Sequence, residues 1–463
     1  MRKKLILNIL FYFTLFPALA QETDTLDFEL FMNWVRMDHP IAVQAEINLR
    51  FGQMEVRQAR GGFDPLLYGN LDQKTFKESI YYDKREAGLS IPTWGGVELT
   101  GVFEQNSGQY LAPENTVPSN GLFAVGASVN LGQGLIMDER RAALRQAQIY
   151  QQSTEFQRIQ LLNQLYVQAT DVYWNWALAY SNQEVLREGV SLATIRFNAV
   201  KGSFSQGDLA AIDTVEAFSQ LLNREYRFQN AQNIYFSATQ ELNNFLWDQD
   251  GNPMVLQEGI VPQDLSDDQI YILEEAELRA IVSDHPDLRI ADYELAGLAV
   301  ERRLRSQQII PVVKLRYNFL TEDIGDFSQS IFFENNYKWG VTVYTPLLLR
   351  KSRGALGLTE AEIDFKQNSR ELKNLQLRTK LESELNTLSN LRIQINTFEK
   401  NIQSLQALLQ GEVRRFDIGE SSLFLVNARE ITVFDSILTL NELISKSKIA
   451  YAKARYAAGL GFD

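Results

Sequence analysis

The chain has 463 residues, 45% apolar and 22% charged, a composition that can bury a core and excludes broad disorder. Its 58 acidic against 45 basic residues give a formal charge of −13, so it lacks the basic footprint that nucleic acid requires. There is no cysteine, which excludes disulfides and a thiol nucleophile.

Residues 1–20 read as a secretory signal. "MRKK" supplies the positive start, "LILNILFYFTLF" the apolar stretch, and Ala18-Leu19-Ala20 a small-residue cleavage site. An exported chain without disulfides must hold itself by core, sheet closure or oligomerisation. After residue 20 no run reaches the roughly 18 apolar residues of a membrane-spanning helix. Closed β-structure is then the remaining route into a bilayer, because backbone groups cannot face lipid unpaired.

Repeat one is predicted over residues 21–247. Helices are expected at 26–61: the amphipathic run "LDFELFMNWVRM", then a helix opening at Asp38-His39-Pro40. A strand region follows at 63–132, with four candidates: "LLYGNLDQKTF", "EAGLSIPTW", "GVELTGVFEQN" and "LFAVGASVNL". From Met137 to Phe197 there is no proline, which allows a helix of roughly 90 Å. Its apolar residues recur at coiled-coil spacing (Ile159, Leu162, Tyr166, Ala169, Tyr173, Trp176, Tyr180). A Gly-marked turn and a returning helix complete a hairpin over 137–247. Residues 248–270 read as a linker.

Residues 271–463 repeat this order. Helices are predicted at 271–309, with a second Asp284-His285-Pro286. Strands are predicted at 311–347, where "VVKLRYNFL" and "YKWGVTVYTPLLL" alternate over the length of a tilted membrane strand. A long hairpin is predicted at 355–458, its seam marked by Leu388, Leu391, Ile395, Phe398, Ile402, Leu405 and Leu409. Pro65 follows Pro40, and Pro311 follows Pro286, by the same spacing, and "VGASVNLGQGLIMDERRAALRQAQ" aligns without gaps on "WGVTVYTPLLLRKSRGALGLTEAE". Shared order and spacing of this kind mark an internal duplication. The only two histidines thus occupy one structural position written twice. They start helices, with Pro40 and Pro286 in the first turn and Asp or His capping it; a catalytic or metal-binding pair is the weaker reading.

Tyr68, Tyr81, Tyr82, Trp94, Phe103, Tyr110, Tyr317, Phe332, Phe333, Tyr337 and Trp339 cluster in the two strand regions, which suits aromatic girdles at a membrane interface. Four to six strands cannot close a bilayer-spanning channel alone, so several chains must contribute.

With "HPDLRIADYELAGLAVERRLRSQQIIPVVKL", "VTVYTPLLLRKSRGALGLTEAE", "GDLAAIDTVEA" and "GESSLFLVNA", nearly the whole chain resembles the TolC-like outer-membrane factor family. The resemblance implies an α+β membrane protein of two repeats. Its long helical hairpins would form a periplasmic α-barrel, and its strands would contribute to a trimeric outer-membrane β-barrel. It implies a homotrimer in outer-membrane lipid that meets a periplasmic adaptor and an inner-membrane transporter, with no cofactor, metal or catalytic residue. The longer first strand region raises the family's four strands per protomer to an expected four to six. A soluble periplasmic coiled-coil adaptor or scaffold is the rival reading.

The resemblance makes the helix–helix turns periplasmic tips. Lys201, Gly202, Gly207 and Asp208, with Asp417, Gly419, Glu420 and Ser421, become candidates for adaptor contact, Asp208 or Ser421 also capping the next helix. Aligning Ala217 and Ala428 on the alanine of the family's motif puts Asp213 and Glu216 at the pore aperture the resemblance implies in repeat one, and Phe424 and Asn427 in repeat two. The first pair would form an acidic ring, and Phe424 an apolar constriction.

Overall fold

The computed structural model describes residues 25–267, 275–322 and 336–462. The predicted leader and the aromatic loop residues Phe332 and Phe333 lie outside them. Repeat one begins with β1 (Thr25–Leu26), α1 (Phe28–Asp38) and α2 (Pro40–Arg60). Four strands follow: β2 (Leu66–Phe76), β3 (Ser79–Pro92), β4 (Val97–Ser107) and β5 (Leu122–Asn130). A hairpin of α3 (Glu139–Gln206) and α4 (Ala211–Asn243) closes the repeat. After β6 (Val261–Pro262), repeat two supplies α5 (Glu275–Ile281), α6 (Pro286–Gln307), β7 (Val312–Thr321), β8 (Tyr337–Tyr344), α7 (Arg350–Asp417) and α8 (Leu423–Ala458).

The helix lengths follow from what the sequence omits. α3 and α7 each run 68 residues, about 100 Å, with neither proline nor a capping glycine to stop them. Their apolar seams are buried in both repeats; Leu162, Ala169, Tyr173, Trp176, Leu388, Leu391 and Ile402 are among the core residues. The chain divides into two compact units. Among the described residues a helical unit comprises 25–38, 169–267 and 391–449, and a sheet unit comprises 39–168, 275–322, 336–390 and 450–462.

In the helical unit, Phe28, Phe31, Tyr173, Trp174 and Trp176 form an aromatic nucleus with ring centroids 5.0–5.8 Å apart. The Tyr173 hydroxyl donates to Leu26 O at 2.6 Å and accepts from Gln263 N at 3.3 Å. It thereby ties α3 to the parallel β1–β6 pair. The predicted linker is anchored here as well, Lys448 donating to Asp267 O at 2.7 Å and lying over the Trp174 ring.

In the sheet unit, β2-β3-β4-β5-β7-β8 form one six-stranded antiparallel sheet. β3 starts earlier than "EAGLSIPTW" suggests, because its first half, "SIYYDKR", carries charge where an apolar alternation was sought. The two repeats join directly at β5–β7, where Asn130 faces Lys314 and Gly126 faces Asn318. A side chain at Gly126 would collide with Tyr317 O, so this seam requires glycine. Leu278, Leu288, Leu377, Leu381, Leu385 and Ala454 form a helical core cluster in the same unit.

The histidines start α2 and α6. His39 Nδ1 accepts from Ile41 N at 3.2 Å and His285 Nδ1 accepts from Asp287 N at 3.1 Å, each followed by proline in the first turn.

Candidate functional site

Two features bear on function: the faces and edges of the sheet in the sheet unit, and the helix–helix turns in the helical unit.

Strand alternation sorts the sheet into two faces. On one face lie Val313, Leu315, Tyr317 and Phe319 of β7 opposite Val343, Val341, Trp339 and Tyr337 of β8. The same face continues through Phe123, Val125, Ala127 and Val129 of β5 and Val97, Leu99 and Phe103 of β4. It reaches Leu89 and Ile91 of β3 and Leu67 and Leu71 of β2. Among the described residues nothing covers much of it: Trp339 is 62%, Val343 63% and Leu71 83% exposed. A contiguous apolar sheet face of this kind is not stable in water. The opposite face is polar. Glu98, Asn130, Asp138, Lys314, Arg316 and Thr342 line a recess of about 700 Å³ at the helix-side end of the strands. Aromatics mark the ends of the apolar face. Trp94 stacks on Phe63 at 4.5 Å at the helix side, and Tyr81 lies 4.6 Å from Tyr110 at the far end.

The helix–helix turns are built alike in both repeats. Asp208 N donates to Ser203 O and Gly207 N to Phe204 O; Glu420 N donates to Arg415 O and Gly419 N to Phe416 O. Gly207 and Gly419 have φ of +87° and +81°. This is the Schellman pattern, and the left-handed residue is glycine in both cases. The left-handed glycine precedes the next helix by the same spacing in both turns, Gly207 before Ala211 and Gly419 before Leu423, so backbone equivalence pairs Asp213 with Leu425 and Glu216 with Ala428. This backbone equivalence differs by one residue from the motif alignment on Ala217 and Ala428, which paired Asp213 and Glu216 with Phe424 and Asn427.

The expected caps also move. α4 is capped at Ala210, not Asp208, and its first turn is closed from the other side: Asp213 Oδ2 accepts from Ala210 N at 3.2 Å. α8 is capped by Ser422, whose hydroxyl accepts from Leu425 N at 3.4 Å, while Ser421 donates to Glu412 Oε1 at 2.5 Å. Lys201, Gly207, Asp208, Asp417, Gly419 and Glu420 are exposed and Gly202 is half-buried. Phe424 is 63% exposed, whereas Asn427 is buried. Beneath the turns Val200, Ala217 and Leu423 pack together, with Phe197, Leu209 and Phe416 against them.

A polar network one to three turns further along binds α3, α4 and α8 together. Asn427 Nδ2 donates to Glu216 Oε1 at 3.3 Å, and Arg196 Nη1 donates to Asn427 Oδ1 at 3.0 Å. Glu430 receives Arg196 through both guanidinium arms and Arg224 through one. Arg224 also donates to Gly189 O at 3.1 Å and lies over the Phe434 ring. Burial pushes the Glu430 carboxyl up, but the Arg196 and Arg224 guanidinium groups outweigh it and hold the pKa below the usual 4.5. Arg196, Arg224 and Glu430 were not singled out in the sequence, where they read as ordinary charges on helix faces. Asp213 and Glu216 both lie in the first two turns of α4, each already bonded within its own chain. Among the described residues no cluster of His, Asp and Glu could hold a metal ion.

The chain matches no protein-family model and no curated protein sequence. Solved structures do match over nearly its whole length. The outer membrane protein VceC from Vibrio cholerae aligns over 94% of this chain and 96% of its own, at 14% identity and a TM-score of 0.66. The open-state MtrE outer membrane channel of Neisseria gonorrhoeae aligns over 94% and 89%, at 13% identity and 0.66. The CmeC outer membrane channel of Campylobacter jejuni aligns over 93% and 85%, at 13% identity and 0.65.

The fold is that of these outer-membrane channels. The family resemblance read from the sequence motifs thus holds at the level of the fold, with both helical hairpins and the sheet included in the match.

Proposed function

We propose that the protein is a trimeric outer-membrane export duct. It passively conducts substrates that an inner-membrane transporter delivers through a periplasmic adaptor, in a tripartite efflux or type I secretion system. The observation that carries this reading is the sheet, apolar on one face, polar on the other and, among the described residues, unpaired at both edges. A sheet of six strands is too small for a bilayer-spanning barrel of its own. Several copies joined edge to edge satisfy every backbone group, place the apolar face against lipid and enclose the polar face around water. A soluble adaptor or scaffold would have no use for the apolar face.

The helical turns take the roles of periplasmic tips, with Lys201, Gly202, Gly207 and Asp208, and Asp417, Gly419, Glu420 and Ser421, as surface for the adaptor. Asp213 and Glu216 give the aperture its negative charge, and Phe424 is its apolar contribution from repeat two. Asn427, buried behind them, holds Glu216 in position. The duct carries out no bond chemistry; its work is gating and coupling.

The deciding experiment is fractionation of cells expressing the full chain, followed by native electrophoresis of detergent extracts. The expected result is a trimer in the outer-membrane fraction. Recovery as a monomer from the soluble periplasmic fraction would overturn the reading.

A further inference from the structure

We infer that the barrel of this duct is closed by eighteen strands, six from each of three copies, with β8 of one copy pairing along β2 of the next. The inference rests on the trimeric reading above and adds what forms the seam. It makes the β2–β3 hairpin part of the wall rather than a flap on a narrower barrel ending at β4.

Four observations carry it. First, the lipid-type face does not stop at β4: Leu89 and Ile91 of β3 and Leu67 and Leu71 of β2 continue it in register, and Leu67 and Leu71 are among the most exposed apolar side chains. A hairpin standing clear of the bilayer would have no reason to keep that alternation.

Second, directions match. All five ladders within the sheet are antiparallel, so an even number of strands brings β8 antiparallel to the β2 it meets. No other described strand pairs the outer edge of either.

Third, the geometry closes. A path straight across the ladders leads from Leu67 through Leu89, Gly101, Val125 and Phe319 to Tyr337, at the far end of β8. Aligning the helix-side ends, Leu66 of one copy beside Tyr344 of its neighbour, places Leu67 against Val343 instead. The resulting offset of six residues over six strands corresponds to a strand tilt of about 35°, within the range of membrane barrels. This register also sets Gly69 against Val341, Leu71 against Trp339 and, on the polar face, Asp72 against Lys338. Apolar meets apolar and acid meets base.

Fourth, the flanking helices continue the same two edges. α2 runs directly into β2 and exposes Val43, Ile47, Phe51 and Met54 at helical spacing. β8 runs directly into α7, which exposes Leu358, Phe365 and Leu372 seven residues apart. Each apolar stripe lacks cover among the described residues, and a second copy joined at the strand seam brings one to the other.

Cysteine pairs test the seam in the full-length, membrane-inserted protein, which has no native thiol to interfere. With Val341→Cys held constant, Leu67→Cys, Gly69→Cys and Leu71→Cys are introduced in turn, and Leu99→Cys and Gly101→Cys of β4 form the competing set. Oxidation followed by denaturing electrophoresis without reductant is expected to yield a covalent trimer for Gly69→Cys and a reductant-sensitive loss of monomer of at least several-fold. Tyr68→Cys, on the other face, is expected to yield none. Cross-linking to the β4 set alone, in protein that native electrophoresis shows to be trimeric, would overturn the eighteen-strand seam and leave the trimer standing. A monomer in native electrophoresis would remove the trimeric reading itself, and the seam with it.

Discussion

His285 and Tyr456 are joined by a hydrogen bond of 3.2 Å between the imidazole Nε2 and a backbone carbonyl oxygen. Because Nδ1 of the same ring accepts the Asp287 amide, the proton sits on Nε2 and the ring is held neutral. A second proton on Nδ1 would break the cap of α6. Burial keeps the His285 pKa below 6.5 against the opposing pull of Asp287, and burial acts the same way on His39. A histidine with a lowered folded pKa binds its proton more readily when unfolded. Its contribution is therefore complete above pH 6.5 and lost as pH falls from there towards the folded value. Thermal melts followed by circular dichroism should show the transition temperature falling over that window. His285→Asn, which keeps a capping acceptor, should flatten the fall; His285→Ala should cost about 1 kcal/mol at pH 8.

Glu430 predicts a separate acid limb. Its folded pKa lies below the 4.5 of a free glutamate, so its contribution is present above that value and lost as pH falls through the folded pKa. Glu430→Gln should remove this limb while leaving the histidine window in place. Glu430 and Arg224 are both almost wholly buried, so Glu430→Ala strands the Arg224 charge and should destabilise by about 3–5 kcal/mol. Arg224→Ala leaves Glu430 paired with both arms of Arg196 and should cost less. Replacing both Glu430 and Arg224 by apolar residues should recover much of the first loss, as measured by denaturant unfolding in detergent.

The two faces of β8 predict opposite tolerances. Val341→Lys places a charge on the lipid side and should reduce membrane-assembled protein by an amount corresponding to about 2–4 kcal/mol near the bilayer midplane. Thr342→Lys, one residue on and facing the polar recess, should assemble normally. Quantified outer-membrane yield distinguishes them.

Asp213 and Glu216 predict selectivity. The double variant Asp213→Ala with Glu216→Ala should weaken cation preference and cation block in planar bilayers. Asp213→Ala alone also removes the acceptor for the Ala210 amide and should fray the first turn of α4 by roughly 0.5–1 kcal/mol. Unchanged reversal potentials would exclude these acids from the aperture.

Much of this was legible in the sequence because it was repeated there. The histidine caps, the glycine turns and the seams of α3 and α7 are local signals, and a second copy at matching spacing strengthened each one. What stayed hidden depends on distant partners or on solvent. Arg196, Arg224 and Glu430 lie on three different helices and read singly as surface charges. The first half of β3 looked unlike a strand because Asp83, Lys84 and Arg85 interrupt the apolar alternation, Arg85 lying directly opposite Leu71. The cap of α4 was misplaced because an acid three residues inside a helix can do the work of one before it.

The joining of the repeats at β5–β7 also constrains how the protein is made. Asn130 and Lys314 are neighbours in the sheet but are separated by roughly 180 residues of chain, a distance that makes their meeting slow. Until repeat two has emerged, β5 is an open edge with a greasy face, prone to pairing with whatever strand is nearest. A chain built this way leaves its first four strands open to aggregation until the last two have arrived.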